Sequence, residues 1–492
     1  MAIKTVRGIM IKRFFYIFFV FVSTQVVTGC STNPATGENQ FTALMSPQQE
    51  VQVGAQEHKK ILKQFGVYKD KELQEYVTRV GKKVVQYTER PEVHYQFFLL
   101  DSPVVNAFAL PGGYIYMTRG LLALANSEAE MASVLAHETG HITARHSAER
   151  YSRSVVTSLG AMILSTAVGS AGVSEALGVG SNLYLSSYSR GQESQADSLG
   201  IRYLSRSGYT PTGMAGFLTN LQADTVLQAR IDDKTTSNTA SYFSTHPATA
   251  ERVRKTINEA RQYAQQGIVK HDPYLRMIDG MVYGDSAAQG FVRGNNFYHP
   301  DLGFKFSVPE GYKLKNKPSH IIASAKNGAA IIFDFSSNKE QTTPASFIRN
   351  TWMKGQNVTS AQNIIINGMD AATASIKGSI NGKAMNIRLI AIRWGEKQFA
   401  RFQIAMPTNL SAAQMQVLKT TTYSFDRMSQ KDKLRLKPYR IKLVTSRSGD
   451  SVGSLASRMA QKDHKEQRFR VLNGLKPNDK IIANRLYKVV TD

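Results

Sequence analysis

One cysteine, two tryptophans and 15 prolines are all that 492 residues contain of these types. A single thiol excludes an intrachain disulfide framework, so the fold must rest on packed cores. Acidic residues are scarce too: 37 Asp and Glu face 61 Lys and Arg, a formal net charge of +24. Such an excess draws a protein to nucleic acid, an anionic membrane surface or an acidic wall polymer. No zinc knuckle, RNA-binding signature or helix-turn-helix accompanies the charge, and nucleic acid is set aside as a partner. Uninterrupted apolar runs of the ~20 residues that span a bilayer are missing as well. What remains is ordinary for a globular chain, 42% hydrophobic and 20% charged. The length suggests two to four domains.

The longest apolar run, Phe14 to Val22, covers nine residues behind Lys4, Arg7, Lys12 and Arg13. It is too short to span a membrane but suits the apolar core of a signal peptide. It leads to Val27-Thr28-Gly29-Cys30, which holds the only cysteine. These residues resemble the lipobox of bacterial lipoproteins, which implies cleavage before Cys30 and acylation of that residue. Residues 1–29 are therefore read as a leader and 30–45 as a tether. The expected place is the periplasm, lipid-anchored through acylated Cys30, on the inner face of the outer membrane.

From Ser46 the pattern turns helical, with Ser46 and Pro47 as N-cap and first turn and apolar residues at helical spacing to Gln86. Val93–Leu100 alternates like a strand. Asn106–Thr118 reads as strand, Pro-Gly-Gly turn, strand. Ser127–His146 reads as one helix. Ser154–Ser187 carries a single charge, Glu175, and much Gly, Ala and Ser; it is read as a buried helical pair or a lid rather than a membrane span. Helices follow at Ser189–Arg206, Pro211–Leu227 and Pro247–Gln265. Tyr298–Phe425 has strand-like runs at 304–308, 329–335, 386–394 and 399–405, with helical stretches at 344–353 and 411–420. It has no catalytic constellation.

Residues 427–492 carry 17 Lys and Arg against 6 Asp and Glu. Their order is strand, helix, helix, strand, with Gly449-Asp450-Ser451-Val452 and Leu472-Asn473-Gly474 at the turns. This resembles a LysM-type module, which in other proteins binds peptidoglycan. The resemblance makes 436–492 a LysM-like βααβ module with peptidoglycan as a partner.

Chemistry concentrates in His137-Glu138-Thr139-Gly140-His141. On a helix, positions i and i+4 share a face, so both imidazoles can reach one ion. Zinc takes imidazole nitrogen and needs a third protein ligand plus an open position for water. Glu138, next to the first histidine, can take that water's proton. Two surface histidines on a solvated helix would be the bland alternative, but Val134, Leu135 and Ala136 argue against a solvated face. Fifty residues on, Glu193 and Asp197 are four apart on another helix. Glu193 could bind the metal while Asp197 accepts the second ring N–H of a ligand histidine. His146, five after His141, lies off the ligand face by helical spacing and is read as structural.

The helix with His-Glu-x-Gly-His, followed by Ser189-Arg190-x-x-Glu193-x-x-Ala196-Asp197, resembles the CAAX-prenyl-protease-type (HtpX/BepA-like) zinc metallopeptidases, a gluzincin family, in its periplasmic lipoprotein branch. The resemblance covers Cys30 to Gln265. It implies a mainly helical metallopeptidase domain over 46–270 with a small edge-strand hairpin; the strand and helix pattern adds a small α+β domain of unknown role over 290–426, and with the LysM-like module the expected fold class is α+β. The resemblance implies one Zn²⁺ per chain on His137, His141 and Glu193, with Glu138 as general base and Asp197 behind a ligand. Ala109, Leu110, Gly112 and Tyr114 resemble the family's substrate-binding edge strand and turn. His246 and Arg252 match its late histidine motif: His246 would stabilise the oxyanion or block the open site at rest, and Arg252 would polarise the carbonyl. The implied reaction is peptide-bond hydrolysis in unfolded or misassembled envelope proteins. A chaperone or scaffold lipoprotein with a closed metal site and a wall-binding C-terminal module stands as the alternative.

Overall fold

The computed structural model describes residues 30–168, 186–231, 242–247, 250–263, 266–317, 319–358, 361–380 and 382–492. The expected leader and half of the expected lid, residues 169–185, lie outside them. The chain divides into two compact units, one reaching to Tyr283 and including Arg440–Thr491, the other Gly284–Tyr439.

The first unit begins with a short antiparallel pair, β1 (Cys30–Thr32) and β2 (Asn39–Phe41). Helices α1 (Pro47–Phe65) and α2 (Lys71–Val85) follow. Ser46 caps α1 by accepting from the Gln49 amide while the Gln49 side chain accepts from the Ser46 amide, and Pro47 fills a first-turn position that needs no donor. A three-stranded sheet comes next: β3 (Gln96–Leu100), β4 (Ala107–Leu110) and β5 (Tyr114–Thr118), in the order β3-β5-β4. β4 and β5 form the expected hairpin, and both turn glycines take positive φ, 80° at Gly112 and 102° at Gly113.

The short helix α3 (Arg119–Leu124) leads into α4 (Glu128–Thr143), capped by Ser127, which accepts from the Glu130 amide. α5 (His146–Val168), α6 (Arg190–Arg206), α7 (Thr212–Ile231), α8 (Tyr242–Thr245), α9 (Ala250–Ala260) and α10 (His271–Ile278) complete the helical part. The expected single helix over 127–146 is broken. α4 ends at Ala144, and Arg145 turns into the left-handed region at φ 56°. No helix among the described residues is long and apolar enough to cross a membrane.

The second unit is a seven-stranded antiparallel sheet running from Lys313–Asn316 at one edge to Gln362–Ile366 at the other, with a four-stranded sheet over Phe291–Ser307 and Asp426–Arg427. Phe297, Phe304 and Phe306 of the smaller sheet share one buried cluster with Phe333, Phe402 and Phe425. Phe347, Ile348, Leu389 and Phe399 fill another. Helices cover Pro344–Phe347 and Ala412–Tyr423, near the expected stretches. The longest unforeseen strand is Met369–Ile380.

The C-terminal segment runs strand Tyr439–Thr445, helix Val452–Ala456, helix Lys465–Leu472, strand Leu486–Thr491. Its strands form one sheet with Val282–Tyr283, and Ile441 exchanges backbone hydrogen bonds with Met281 and Gly280. Lys488, wholly buried, donates to the carbonyls of Ala123 (2.7 Å) and Ala125 (2.6 Å), at the end of α3. Residues 440–491, expected as part of a separate module, thus share the first unit's body.

Candidate metal centre

α4 and α6 touch because two glycines let them. A Cβ on Gly140 would lie 3.0 Å from the Ala196 carbonyl oxygen, and one on Gly200 would lie 3.2 Å from the His137 nitrogen. Ser189 fixes where α6 starts by accepting from the Gln192 amide, with the Gln192 side chain returning the bond. Glu193 then falls in the first turn, facing His137 and His141.

The facing atoms converge. His141 Nε2 lies 3.1 Å from His137 Nε2 and 3.5 Å from Glu193 Oε1, and His137 Nε2 lies 3.6 Å from Glu193 Oε2. His246, just past α8, brings Nδ1 to 3.3 Å from His137 Nε2 and 3.0 Å from Glu193 Oε1. Ligand atoms of these four buried residues all lie within 4.8 Å of one another. Ligands at about 2.0–2.1 Å around a tetrahedral zinc stand about 3.3–3.4 Å apart, so the spacing and the imidazole-carboxylate chemistry both fit such an ion.

Around the cluster the polar groups interlock. His137 Nδ1 lies 2.9 Å from Asp197 Oδ1. Arg252, on α9, donates to both Asp197 oxygens at 2.7 and 2.8 Å and pairs with Glu193. Thr256 adds a hydroxyl bond to Asp197 at 2.9 Å. The guanidinium expected to polarise a carbonyl contacts both carboxylates. Burial alone would raise the Glu193 carboxyl, but His246, His141 and His137 outweigh it and hold it well below the usual range. Asp197 is likewise lowered, burial being outweighed by Arg252 and His137. Burial drives His141 well below its ordinary value, leaving the neutral imidazole a metal needs.

Glu138 is wholly buried, and neither of its carboxylate oxygens has a hydrogen-bond partner. Its Oε1 lies 3.4 Å from His246 Nε2. Burial pushes its carboxyl up, against the opposing pull of His246 and His137. A buried carboxylate without a hydrogen bond is costly and calls for a functional explanation.

Two residues here escaped the sequence reading, and the contact of a third, His146, read as structural, was not foreseen. His146 Nδ1 sits 2.8 Å from His141 Nδ1, because the bend at Arg145 redirects it and the spacing of one continuous helix no longer applies. Tyr188 stacks on the His141 ring at 3.6 Å between centroids, and Tyr242 stacks on His246 at 4.4 Å. Neither tyrosine has a spacing signal, since each reaches the site by tertiary packing alone. The expected edge strand β4 is an outer strand of its sheet, with all four of its residues buried. Tyr242 donates its amide to the Val105 carbonyl, just before β4, at 2.9 Å.

The model for peptidase family M48 matches residues 71–260, a span that contains α2, β3–β5, α4, α6, His246 and Arg252. Residues 71–260 are thus similar to peptidase family M48. The chain is similar to proteins named beta-barrel assembly-enhancing protease, at 31% identity over 223 residues in Escherichia coli K12 and 33% over 213 residues in Yersinia pestis. These matches cover 44% and 41% of this chain and 44% and 42% of the relatives. It is also similar to the mitochondrial metalloendopeptidase OMA1 of Schizosaccharomyces pombe, at 29% identity over 182 residues, 37% of this chain and 51% of that protein. The chain thus spans less than half the length of these bacterial relatives.

Proposed function

We propose that the M48 domain is a zinc-dependent endopeptidase, with His137, His141 and Glu193 as metal ligands and Glu138 as general base. The observation that carries this is the pairing of four convergent ligand atoms with a buried, unpartnered carboxylate beside them. Zinc held there would polarise the scissile carbonyl and acidify the attacking water. Glu138 takes a proton from that water and delivers it to the leaving amine nitrogen. Its raised proton affinity suits a group that must first accept and then donate. Asp197 fixes the proton of His137 on Nδ1, which leaves Nε2 free to ligate, and Arg252 fixes Asp197.

His246 occupies the corner a substrate carbonyl needs, and α8 lies against the chain just before β4. In this reading the domain rests closed: His246 must withdraw before an extended peptide adds to β4 through backbone hydrogen bonds. The substrates proposed are unfolded or misassembled envelope proteins, reached from a membrane anchor at acylated Cys30. The names of the bacterial relatives support that setting.

The deciding experiment is Glu138→Gln assayed on an unfolded protein such as casein. The variant should keep its zinc and lose hydrolysis, and undiminished cleavage would remove Glu138 as the base. The closed corner favours one second reading, a chaperone or scaffold lipoprotein. It predicts that wild type and Glu138→Gln suppress aggregation equally and that neither cleaves. A peptidoglycan-binding role for residues 436–492 is tested by sedimenting the intact protein with insoluble cell wall; a protein left in the supernatant would end it.

A further inference from the structure

The bond network around His141 continues outward in one direction only. For Nε2 of His141 to face the ligand cluster with a lone pair, its proton must sit on Nδ1. That nitrogen lies 2.8 Å from Nδ1 of His146, which must then accept, so the proton of His146 sits on Nε2. His146 Nε2 is 3.0 Å from Gln195 Oε1, an acceptor, and the Gln195 amide donates in turn to Glu38. Each member has one role, and the roles agree. With the His146 proton moved to Nδ1, His141 would accept there and carry its own proton on Nε2, aimed into the cluster.

The backbone that delivers His146 is held from the N-terminal side. Arg145, in a conformation that L residues rarely adopt, donates to Thr42 Oγ1 (3.2 Å), the Met45 carbonyl (2.7 Å) and Glu50 (3.0 Å). The Ala144 carbonyl, one residue earlier, accepts from Asn33 Nδ2 at 3.2 Å. Beyond the bend, the Leu44 amide donates to Ser152 Oγ at 3.2 Å. The segment right after Cys30, expected as a tether, therefore grips both sides of the turn between α4 and α5. On the opposite side Tyr188 closes over the His141 ring.

We propose that His146 is a positioning residue for the metal ligand His141, and that the N-terminal arm Asn33–Met45 holds it in place, coupling the anchored end of the chain to the metal centre. Orienting a ligand imidazole through its second nitrogen typically changes metal affinity 10–100-fold. The arm adds leverage, because whatever displaces Asn33–Met45 frees the bend and lets His146 turn away. The inference rests on the zinc reading above.

The test measures zinc affinity of the full-length protein by competition with a chromogenic chelator. Circular dichroism melts in EDTA check that each metal-free variant is folded. His146→Ala should bind zinc about 10–100-fold more weakly. His146→Leu fills the same space without accepting the proton and should be as weak. His146→Gln, whose amide oxygen can accept from His141 while its nitrogen faces Gln195, should recover most of the affinity. Equal affinity of His146→Leu and His146→Gln would reduce His146 to a filler and overturn the proposal. Asn33→Ala leaves every residue of the cluster intact and should weaken zinc in the same direction by less; it decides the matter if the His146 variants do not fold. Undiminished affinity in Asn33→Ala removes the arm from the proposal, and undiminished affinity in His146→Ala removes the whole of it. A wild-type protein without zinc affinity would instead sink the zinc reading itself.

Discussion

Around the contact of α4 with α6, the buried side chains include His137, Glu138, His141, Glu193, Asp197, His246 and Arg252; in the second unit they include Phe297, Phe304, Phe306, Phe333, Phe402 and Phe425. Both regions exclude water, but for opposite returns. Burying aromatic rings is favourable by itself, at about 25 cal/mol per Å² of apolar surface, and edge-on and tilted pairs add to it. Burying titratable groups is unfavourable unless each finds partners, and an unpaired one costs several times a hydrogen bond. The first region satisfies most of its groups through Asp197, Arg252, Thr256 and Gln195 and leaves both Glu138 oxygens, Glu193 Oε2 and His246 Nε2 without a hydrogen bond. A polar core therefore announces chemistry, whereas an aromatic core announces only stability.

The contrast can be broken experimentally because its halves have separate reporters. Trp352 and Trp394, the chain's two tryptophans, both lie in the second unit, and zinc would report on the first. The largest effect should come from Glu138→Gln, which removes the base while preserving shape. Hydrolysis of casein should fall about 10²–10⁴-fold, the usual range for a positioned acid–base group, with zinc content unchanged. Next, Phe333→Ala should lower stability by about 3–5 kcal/mol, read as a shift in the urea midpoint of tryptophan fluorescence. Zinc stoichiometry should stay at the wild-type value, and a parallel loss of metal would dissolve the distinction between the two cores. Smaller still, Asp197→Asn should weaken zinc about 10–100-fold, whereas Glu193→Ala should lower the metal content itself. If Glu193→Ala binds one zinc per chain at wild-type affinity, Glu193 is not a ligand.

What the sequence disclosed follows the same divide. The histidine pair, the base and the acidic pair on α6 obey helical spacing, and Ser127 and Ser189 mark where their helices begin. His246 could be singled out only through a family motif, since the short α8 turn before it has no periodic signal. His146 was read as structural, and its contact with His141 was not foreseen because one residue, Arg145, leaves the helix and no local propensity marks an arginine for positive φ. Strand 369–380 was missed because its Ala, Ser and Gly residues have little strand preference; it is held by pairing with its neighbours along its whole length. The C-terminal elements were legible locally, while their attachment through Lys488 and Ile441 depends on contacts between distant parts of the chain.

The smallest predicted effect concerns the one buried histidine of the aromatic unit. His299 packs near Phe304 and accepts the Leu302 amide on Nδ1 at 3.3 Å, a bond only the neutral ring can make. Burial lowers its proton affinity below the ordinary value of 6.5, although Asp301 opposes this. The folded unit thus resists a proton that the unfolded chain takes up near pH 6.5. Stability from the neutral ring is fully present above that pH and is lost as pH falls through the folded value. The slope cannot exceed about 1.4 kcal/mol per pH unit, the limit for one proton. Tryptophan-monitored urea midpoints should therefore decline from pH 7 to pH 5, and His299→Gln should flatten that decline. An equal decline in the variant would assign the acid sensitivity to other groups and leave the aromatic unit with no titrating member of its core.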